Sequence, residues 1–543
     1  MRIAVAGGGP GGLFFATLMR RADPSAEVTV FERNRADDTF GFGVVFSDRT
    51  LDGIHEADPV MRQALDGHGR HWDEIEVRLK GERIRCGGNG MAAIARRTLL
   101  ALLQQQARDV GAELRFSTTV ALDELAGYDL VVAADGTGSR IRDQLEAVLG
   151  AEALGARVET ATAKFIWFGT DYLFDGLTFV HEHGPDGVFA VHGYPISADV
   201  STFIVETDEA SWRRAGLDEF DAGQPPGPSD LASKDYLEKL FADQIEGHQL
   251  LVNNSRWANF RTRRTRRWHV MAPRPAVLLG DAVHTAHFSV GSGTKMAMED
   301  AIALSRALAA HPGSLEAALA EYEEAAQPPV RKIQDSARPS LAWWEHFGSY
   351  HDAFEPWQFA YHFLTRSITD ARLARRAPDF IAASHRAWRG AHGAEPLRSP
   401  FTSGGWSAPG RAVAIAAAGA GAPASAGAPA PPGAGQRELP LAERPQGGSW
   451  GARVQAPDGE DGLPAAKERL ARIAAAGPVL AAVHGGTPLT RTLLCEHARL
   501  QMGLPALLID PGLGRDEAVT ALLSGRADLV GVPAATASEW ERG

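Results

Sequence analysis

The first 33 residues, MRIAVAGGGPGGLFFATLMRRADPSAEVTVFER, leave the chain few ways to begin. Residues 3–5 form an apolar run that predicts a short strand, and Gly7, Gly9 and Gly12 follow in G-x-G-x-x-G spacing. Residues 13–21 then read as a helix, and 27–31 as a second strand that ends at Glu32 and Arg33. Each feature has a task in holding a dinucleotide. Gly7 permits the tight turn, Gly9 lets the backbone approach a pyrophosphate, and Gly12 lets helix and strand pack closely. The pyrophosphate faces the positive end of the helix, where free N–H groups point at it. Glu32 follows Gly12 by twenty residues, where an acid can accept hydrogen bonds from the adenosine ribose, and Arg33 beside it is placed with the cofactor set. A glycine-rich turn that binds nothing is the plainer reading. Strand, helix, strand and acid in register favour the dinucleotide, without separating FAD from NAD.

The chain has 543 residues, enough for about three domains. Its net charge of −12 argues against nucleic acid as a partner, because phosphate binding needs a basic face. No stretch of about 18 apolar residues is present to span a membrane, and no hydrophobic leader precedes the first strand. Cys86 and Cys495 stand far apart without companions, which predicts neither a disulfide framework nor a cysteine metal site. The expectation is a soluble, cytoplasmic protein.

Further along, the two glycines of FGFGVVFSDRT (40–50) suggest either a simple loop and strand or a backbone that passes close to something flat. Residues 91–107 carry apolar positions at helical spacing, with Arg96 in the first turn after Gly87, Gly88 and Gly90. A cation there meets a phosphate or carboxylate, or is simply a solvated surface arginine; both readings are open. Strands are expected at 114–119 and 129–134, the second buried on both faces and ending in DGTGSRIR (135–142). Asp135 and Gly136 thus fall at the carboxyl end of a buried strand, where open α/β sheets hold ligands.

From about 155 to 270 the pattern changes to alternating, aromatic-rich strands, an antiparallel sheet placed to roof a pocket. Near its end runs NFRTRRTRRWH (259–269). If extended, it turns Arg261, Arg263 and Arg267 one way and Arg264 and Arg266 the other. That is either a solvated edge that resists aggregation or a clamp for a polyanion, since arginine forks match phosphates. In PAVLLGDAVHTAHFSVGSGTKMAMED (275–300), residues 276–279 read as a buried strand and Gly280-Asp281 as a sharp exit. Gly291 and Gly293 open a helix whose N-terminus can stabilise an electron-rich group. His284 and His287 lack companions in metal-ligand spacing, so no metal is expected. Residues 298–390 look helical, and the aromatic residues of 341–366 read as packing. The Ala, Gly and Pro-rich stretch from 403 to about 462 predicts a flexible linker without a packed domain. The remainder alternates strand and helix, and its three strands are too few to close a (β/α)₈ barrel.

Three motifs together, Gly7 to Gly12 with Glu32, DGTGSRIR and GDAVHTAHFSVGSG, resemble the flavin-dependent aromatic hydroxylases of the para-hydroxybenzoate hydroxylase-like group, over residues 1 to about 395. FGFGVVFSDRTL, SRWANFRTRRTRRWH and HTAHFSVGSGTKMAMEDAIALSRAL narrow the resemblance to the family of salicylyl-CoA 5-hydroxylases and 2-aminobenzoyl-CoA monooxygenases. The C-terminal stretches resemble only the last part of the old-yellow-enzyme-like barrel found in that family, so one flavin per chain is expected. The resemblance implies an α/β fold with α+β insertions. A Rossmann-like FAD domain (1–395) would carry an inserted antiparallel substrate sheet (about 155–270) and a helical tail. A disordered linker (396–465) and a small barrel-like module (466–543) would follow. It implies FAD as cofactor, NAD(P)H and O2 as co-substrates, and one oxygen atom delivered to an electron-rich ring. Glu32 would hold the adenosine ribose, Arg96 the pyrophosphate and Asp281 the ribityl chain. Asp135 and Gly136 would belong to a motif serving FAD and NAD(P)H, and Gly291 and Gly293 would lie by the isoalloxazine. His287 would sit near flavin and substrate as the one catalytic candidate, and Arg261, Arg263, Arg264 and Arg266 would hold CoA phosphates. Salicylyl-CoA, converted to gentisyl-CoA, stands first as substrate and 2-aminobenzoyl-CoA second. A free aromatic or indole substrate, and a flavin-binding protein that hydroxylates nothing, are the competing readings.

Overall fold

The N-terminal apolar run becomes the strand Arg2–Ala6 near the middle of a six-stranded sheet. The order is His269–Val270, Ala276–Leu278, Leu130–Ala133, Arg2–Ala6, Glu27–Phe31, Glu113–Arg115, all parallel except the antiparallel His269–Val270 edge. In the computed structural model, residues 1–39, 41–58, 66–221, 227–291, 293–416, 424–427, 439–444 and 448–542 are described. They divide into two compact units, Met1–Gly348 and Ser349–Gly543. Leu130–Ala133 is buried on both faces, as a parallel strand covered by helices must be. Helix Pro10–Ala22 lies against this sheet and buries Leu13, Phe14, Phe15 and Met19. Each such side chain contributes about 1.5–3 kcal/mol on leaving water.

The expected helix at 91–107 starts later. Met91–Ala95 is a strand, paired antiparallel with Gly43–Ser47 and with Arg70–Trp72, and the helix is Arg96–Asp109. Alanines at 92, 93 and 95 carry helix propensity, but pairing with a distant strand decides the outcome. Arg96 keeps its place in the first turn.

The inserted sheet is larger than 155–270. Its order is Leu250–Leu251, Arg157–Thr170, Ser201–Thr207, Gly187–Pro195, Leu177–Gly184, Ile75–Leu79, Glu82–Cys86, with Ala258–Arg264 also paired to Arg157–Thr170. Two of these strands precede the first predicted one by many residues, and Ile75–Leu79 joins Leu177–Gly184 in parallel. Ser201–Thr207 is buried throughout, so both faces are covered. One face carries Ile166, Phe168, Phe189, Val191, Phe203 and Val205 in a core with Leu237 and Phe241. The other face is the one that matters for the site.

The second unit departs furthest from expectation. Strands Ala412–Ala416, Ala424–Gly427, Leu439–Ala442, Gly451–Gln455, Leu480–His484, Ala506–Ile509 and Leu529–Val532 close into a barrel. The circle shuts where Ala412–Ala414 pair in parallel with Val530–Val532. The expected disordered linker at 396–465 therefore supplies four barrel strands and the hairpin Phe401–Ser403 with Trp406–Ala408. Its few large side chains, Trp406, Val413, Leu439 and Leu441, are buried together with Leu480, Leu507 and Leu529. Small residues suffice for the rest of a tight barrel wall, and a window of composition cannot see closure by distant strands.

Candidate functional site

The glycine turn is shaped by what cannot be added to it. A Cβ on Gly7 (φ 112°) would stand 2.2 Å from Ala134 O, and one on Gly12 would stand 2.2 Å from Gly7 O. At Gly9 a Cβ would meet nothing within 4 Å, so this residue leaves open space at the helix N-terminus. The first turn of Pro10–Ala22 holds no acid to compete for an incoming anion. Glu32 is already oriented: Gly8 N–H donates to its Oε2 (2.8 Å), and Asn34 donates to its Oε1 through N–H and Nδ2 (2.8 Å each).

These residues line a cleft of about 250 Å³ together with Arg96, Leu100, Gln104, Phe116, Gly280, Asp281, Gly293 and Thr294. Three distant parts of the chain, the glycine turn with Glu32, the helix start at Arg96 and the segment from Gly280 to Thr294, are thus brought to one place, whereas the DGTGSRIR motif contributes no lining residue. Burial pushes the Asp281 carboxyl up from the ordinary range, opposed by the charges of His284 and Arg96. Burial likewise pushes the Arg96 guanidinium down, opposed by Tyr194 and Asp281. Arg96 stands 5.9 Å from the Trp167 ring centroid, at the junction of the cleft and the inserted sheet. The Gly280-Asp281 exit is fixed from beneath by a residue the motifs did not single out. Asp300 accepts from Gly280 N–H (2.9 Å) and lies 2.8 Å from His284 Nε2, all buried. Burial works to lower the His284 pKa, but Asp300 outweighs it and holds the ring above its ordinary value. Gly291 takes a left-handed conformation (φ 62°) before helix Gly293–Ala310.

Glycine spacing, an oriented acid, an open helix N-terminus, and an arginine and an aspartate that line the same cleft fit a flavin dinucleotide. Arg33, Asp135 and Gly136 do not line this cleft. Arg33 is exposed. Asp135 is turned to its own helix, its Oδ2 accepting from Arg140 N–H (2.7 Å) and Ile141 N–H (3.3 Å). Gly136 makes the turn between them (φ 83°).

Strand register dictates the other wall. Trp167, Ile204, His192 and Phe179 stand opposite one another in one cross-strand row. Phe165, Glu206, Ala190 and His181 form a second row, and Thr202 pairs with Tyr194 in a third. Phe288 lies over the first two, with ring centroids 5.0 Å from Phe165, 5.7 Å from Trp167 and 5.6 Å from His192. Gly43 presses its backbone on the same face, where a Cβ would come within 2.3 Å of Ile196 and 2.6 Å of Thr202. Gly43 opens the strand Gly43–Ser47, the plainer of the two readings of its stretch. Tyr194 stacks near Trp72 (6.2 Å), and burial drives its hydroxyl up to about 12, opposed by Thr202 and Arg96.

His287 stands at the edge of this aromatic face, 2 % exposed. Its Nδ1 lies 2.8 Å from Ser289 Oγ, and its Nε2 is 3.5 Å from Glu206 Oε2. The other Glu206 oxygen is 2.7 Å from His192 Nε2. Burial works to raise the Glu206 pKa, yet His287 first and then His192 hold it below the ordinary carboxylate range. Sequence reasoning missed His192, Tyr194 and Glu206. The one available signal was an acid inside the apolar strand STFIVET. Among the described residues no group of three His, Cys, Asp or Glu side chains is arranged to hold a metal, and no helix is long and apolar enough to cross a membrane.

The arginine run is only partly extended. Its strand ends at Arg264, so the expected alternation does not reach Arg266 and Arg267, which lie beyond it and are exposed. Arg261 is exposed and Arg263 half-buried; burial, then the nearby Arg142 and Arg261 charges, lower the Arg263 pKa. Arg264 instead pairs with Asp335 at 2.9 Å.

The model of the FAD binding domain family matches residues 1–337. A salicyloyl-CoA 5-hydroxylase of a Streptomyces species is 55% identical over 98% of this chain and 99% of its own. A 3-hydroxy-4-methyl-anthranilyl-(aryl-carrier protein) 5-monooxygenase of Streptosporangium sibiricum is 37% identical over 63% of this chain and 89% of its own. A solved structure of a 2-methyl-3-hydroxypyridine-5-carboxylic acid oxygenase variant shares the fold, with a TM-score of 0.51 and 19% identity over 69% of this chain and 98% of its own.

Proposed function

The chain belongs to the FAD binding domain family and is an FAD-dependent aromatic monooxygenase, and within that class we propose that it hydroxylates the ring of an aryl-CoA thioester, salicylyl-CoA before 2-aminobenzoyl-CoA. The observation that carries the choice of substrate is the relative named salicyloyl-CoA 5-hydroxylase, matched at 55% identity along nearly the whole of both chains.

The residues have separable tasks in this reading. Glu32 holds the adenosine ribose, the Gly9 turn and helix N-terminus hold the pyrophosphate with Arg96, and Asp281 holds the ribityl chain. When bound, FAD supplies the redox chemistry that draws on NAD(P)H and O2. The protein supplies position and dryness. Trp167, Tyr194, Ile204 and Phe288 offer an apolar, aromatic surface to the ring, and a carboxyl masked as a thioester brings no charge to it. His287 stands at its edge. The CoA phosphates fall to Arg261 and Arg263, with Arg266 beyond the strand, because arginine forks match phosphate oxygens. Arg264 has a partner already and is the weakest member of the proposed clamp.

NADH consumption by the FAD-loaded protein tests the reading, with salicylyl-CoA, 2-aminobenzoyl-CoA, salicylyl-pantetheine and free salicylate, and products weighed by mass spectrometry. Stimulation by a thioester with one oxygen atom added is expected. Equal stimulation by free salicylate refutes the thioester. For the clamp, Arg263→Ala is expected to raise KM for salicylyl-CoA about tenfold, as loss of one charge-assisted contact of roughly 1.5 kcal/mol would. KM for salicylyl-pantetheine, which lacks the nucleotide phosphates, is expected to hold; a KM unchanged for both removes the clamp.

A further inference from the structure

We propose that Ser289, His287 and Glu206 form an internal proton relay that takes the proton of a hydroxyl on the substrate's ring, with Glu206 as its positioning residue. The inference rests on the reading of the substrate as a hydroxyaryl thioester.

The three residues come from two elements about eighty residues apart in sequence. Ser289 and His287 belong to the turn that leads into the cofactor-facing helix Gly293–Ala310, and Glu206 to the buried strand Ser201–Thr207. They meet in one line: Ser289 Oγ to His287 Nδ1 is 2.8 Å, and His287 Nε2 to Glu206 Oε2 is 3.5 Å. A carboxylate 1 % exposed in an apolar strand is costly unless polar partners meet its oxygens. Its neighbours explain how it is kept. Besides His287, the sheet presents His192 to it. The packed helix Leu315–Ala353 presents Ser340, 2.9 Å from Ser289 Oγ, and Trp344, against His192. Strand Ala258–Arg264 presents Phe260, 5.0 Å from His287. Ser340, Trp344 and Phe260 carry no charge at neutral pH, so the polar groups that meet the two Glu206 oxygens are the His287 and His192 rings.

That arrangement has one direction of use. With the ring N–H on Nε2 toward Glu206, Nδ1 is free to accept from Ser289 Oγ–H, and Ser289 N–H, 3.4 Å from Nδ1, points the same way. Ser289 is half-buried, whereas His287 and Glu206 are enclosed, so the hydroxyl is the end of the line that a substrate can reach. When the ring hydroxyl gives its proton to Ser289 Oγ, Ser289 passes its own to His287 Nδ1. The O–H electron pair stays on the ring oxygen and enriches the carbon para to it, and the imidazolium is held opposite the Glu206 carboxylate. The proton returns when the product ring regains its hydroxyl. No oxidant or further reactant enters the step. A consequence is selectivity: a ring without an ionisable substituent binds the aromatic face and is not hydroxylated.

The test is a pH titration of the FAD holoenzyme without NADH, reading the phenolate absorbance of bound salicylyl-CoA. Wild type, Glu206→Gln and Ser289→Ala are compared, with flavin content verifying that each variant is folded. Ser289→Ala serves if loss of the buried carboxylate unfolds the protein. The bound hydroxyl is expected to ionise about one pH unit or more higher in both variants than in wild type, the usual effect of losing one close charge or its connection. The variants should lose kcat about tenfold or more, as loss of a general base does, with KM nearly kept. Titration curves that superimpose, in a wild type that binds the thioester and is stimulated by it, overturn the relay alone. A wild type that does not bind the thioester overturns the relay together with the reading it rests on.

Discussion

The two walls of the site are built by opposite means. On the cofactor side the chain works by leaving side chains out: Gly7 and Gly12 admit no Cβ, and Gly9 opens the helix end to an anion. On the substrate side the work belongs to side chains, Trp167, His192, Ile204 and Glu206, set on one face by the register of paired strands. The first wall is a matter of backbone shape within a dozen residues. The second exists only once strands far apart in sequence have paired. Substitutions should therefore fail differently on the two sides, and that is how the contrast can be broken.

The largest effect is expected at Gly12. A Cβ there meets Gly7 O at 2.2 Å and Val5 Cγ1 at 3.1 Å, and the first of these is backbone that cannot turn aside. Gly12→Val should purify without flavin and lose about 3 kcal/mol or more of stability, at the upper end for overpacking. Ile204→Ala, by contrast, should keep its flavin and lose turnover with the aryl thioester. Flavin absorbance per protein decides it; a yellow Gly12→Val protein would show that the close packing is dispensable.

Next comes Asp300, which supports the cofactor wall from beneath by holding the Gly280 turn and His284. Removing one member of a buried pair costs about 3–5 kcal/mol, so Asp300→Ala should unfold at markedly lower urea. The pH dependence has a definite sign. His284 is held above its ordinary pKa in the folded state. Its contribution is complete below the unfolded value of about 6.5 and is lost as pH rises through the folded value. The stability gap between wild type and His284→Gln should accordingly be widest in mildly acidic buffer and narrow as pH rises. A gap that widens with pH would contradict the ion pair.

A smaller effect is expected at Glu32. Glu32→Gln keeps the shape but weakens the charge-assisted contact to the ribose, by about 1.5 kcal/mol, and should raise the FAD dissociation constant about tenfold. Fluorescence titration of the apoprotein measures it. An unchanged constant would mean that Glu32 serves only its own turn, through Gly8 and Asn34.

The same contrast accounts for what was legible beforehand. Gly7, Gly9, Gly12 and Glu32 were readable because a dinucleotide turn writes its geometry into short spacings, whereas Arg96, Asp281 and Gly293 took their cofactor roles only from the family resemblance. Asp135 stood in an equally conspicuous motif but caps the helix Arg140–Leu149, and spacing alone does not separate those uses. His192 and Glu206 could not be paired from the sequence, because the register that brings them together is set by the whole sheet. The barrel of the second unit is the extreme case. Ala412–Ala416 and Ala424–Gly427 are mostly small residues, with Val413 and Ile415 their only large apolar side chains, and they become strands because Leu529–Val532 is there to complete the circle. Low apolar content reads as a linker until the partner is known.

The smallest effect is expected at Arg264, and it sharpens the reading of the arginine run. Arg261 and Arg263 share one side of the strand Ala258–Arg264, whereas Arg264 alternates to the other, where Asp335 meets it at 2.9 Å. Both partners are partly in water, with side-chain exposures of 34% and 63%, so solvent screens the pair and its loss should cost under about 1 kcal/mol. If the run acts as one cloud of positive charge, Arg264→Gln and Arg263→Gln raise KM for salicylyl-CoA equally, and added salt weakens both alike. If position on the strand decides, Arg264→Gln leaves KM nearly unchanged and Arg263→Gln alone raises it. Geometry favours the second outcome, because an arginine already matched by a carboxylate has little charge to lend to a phosphate.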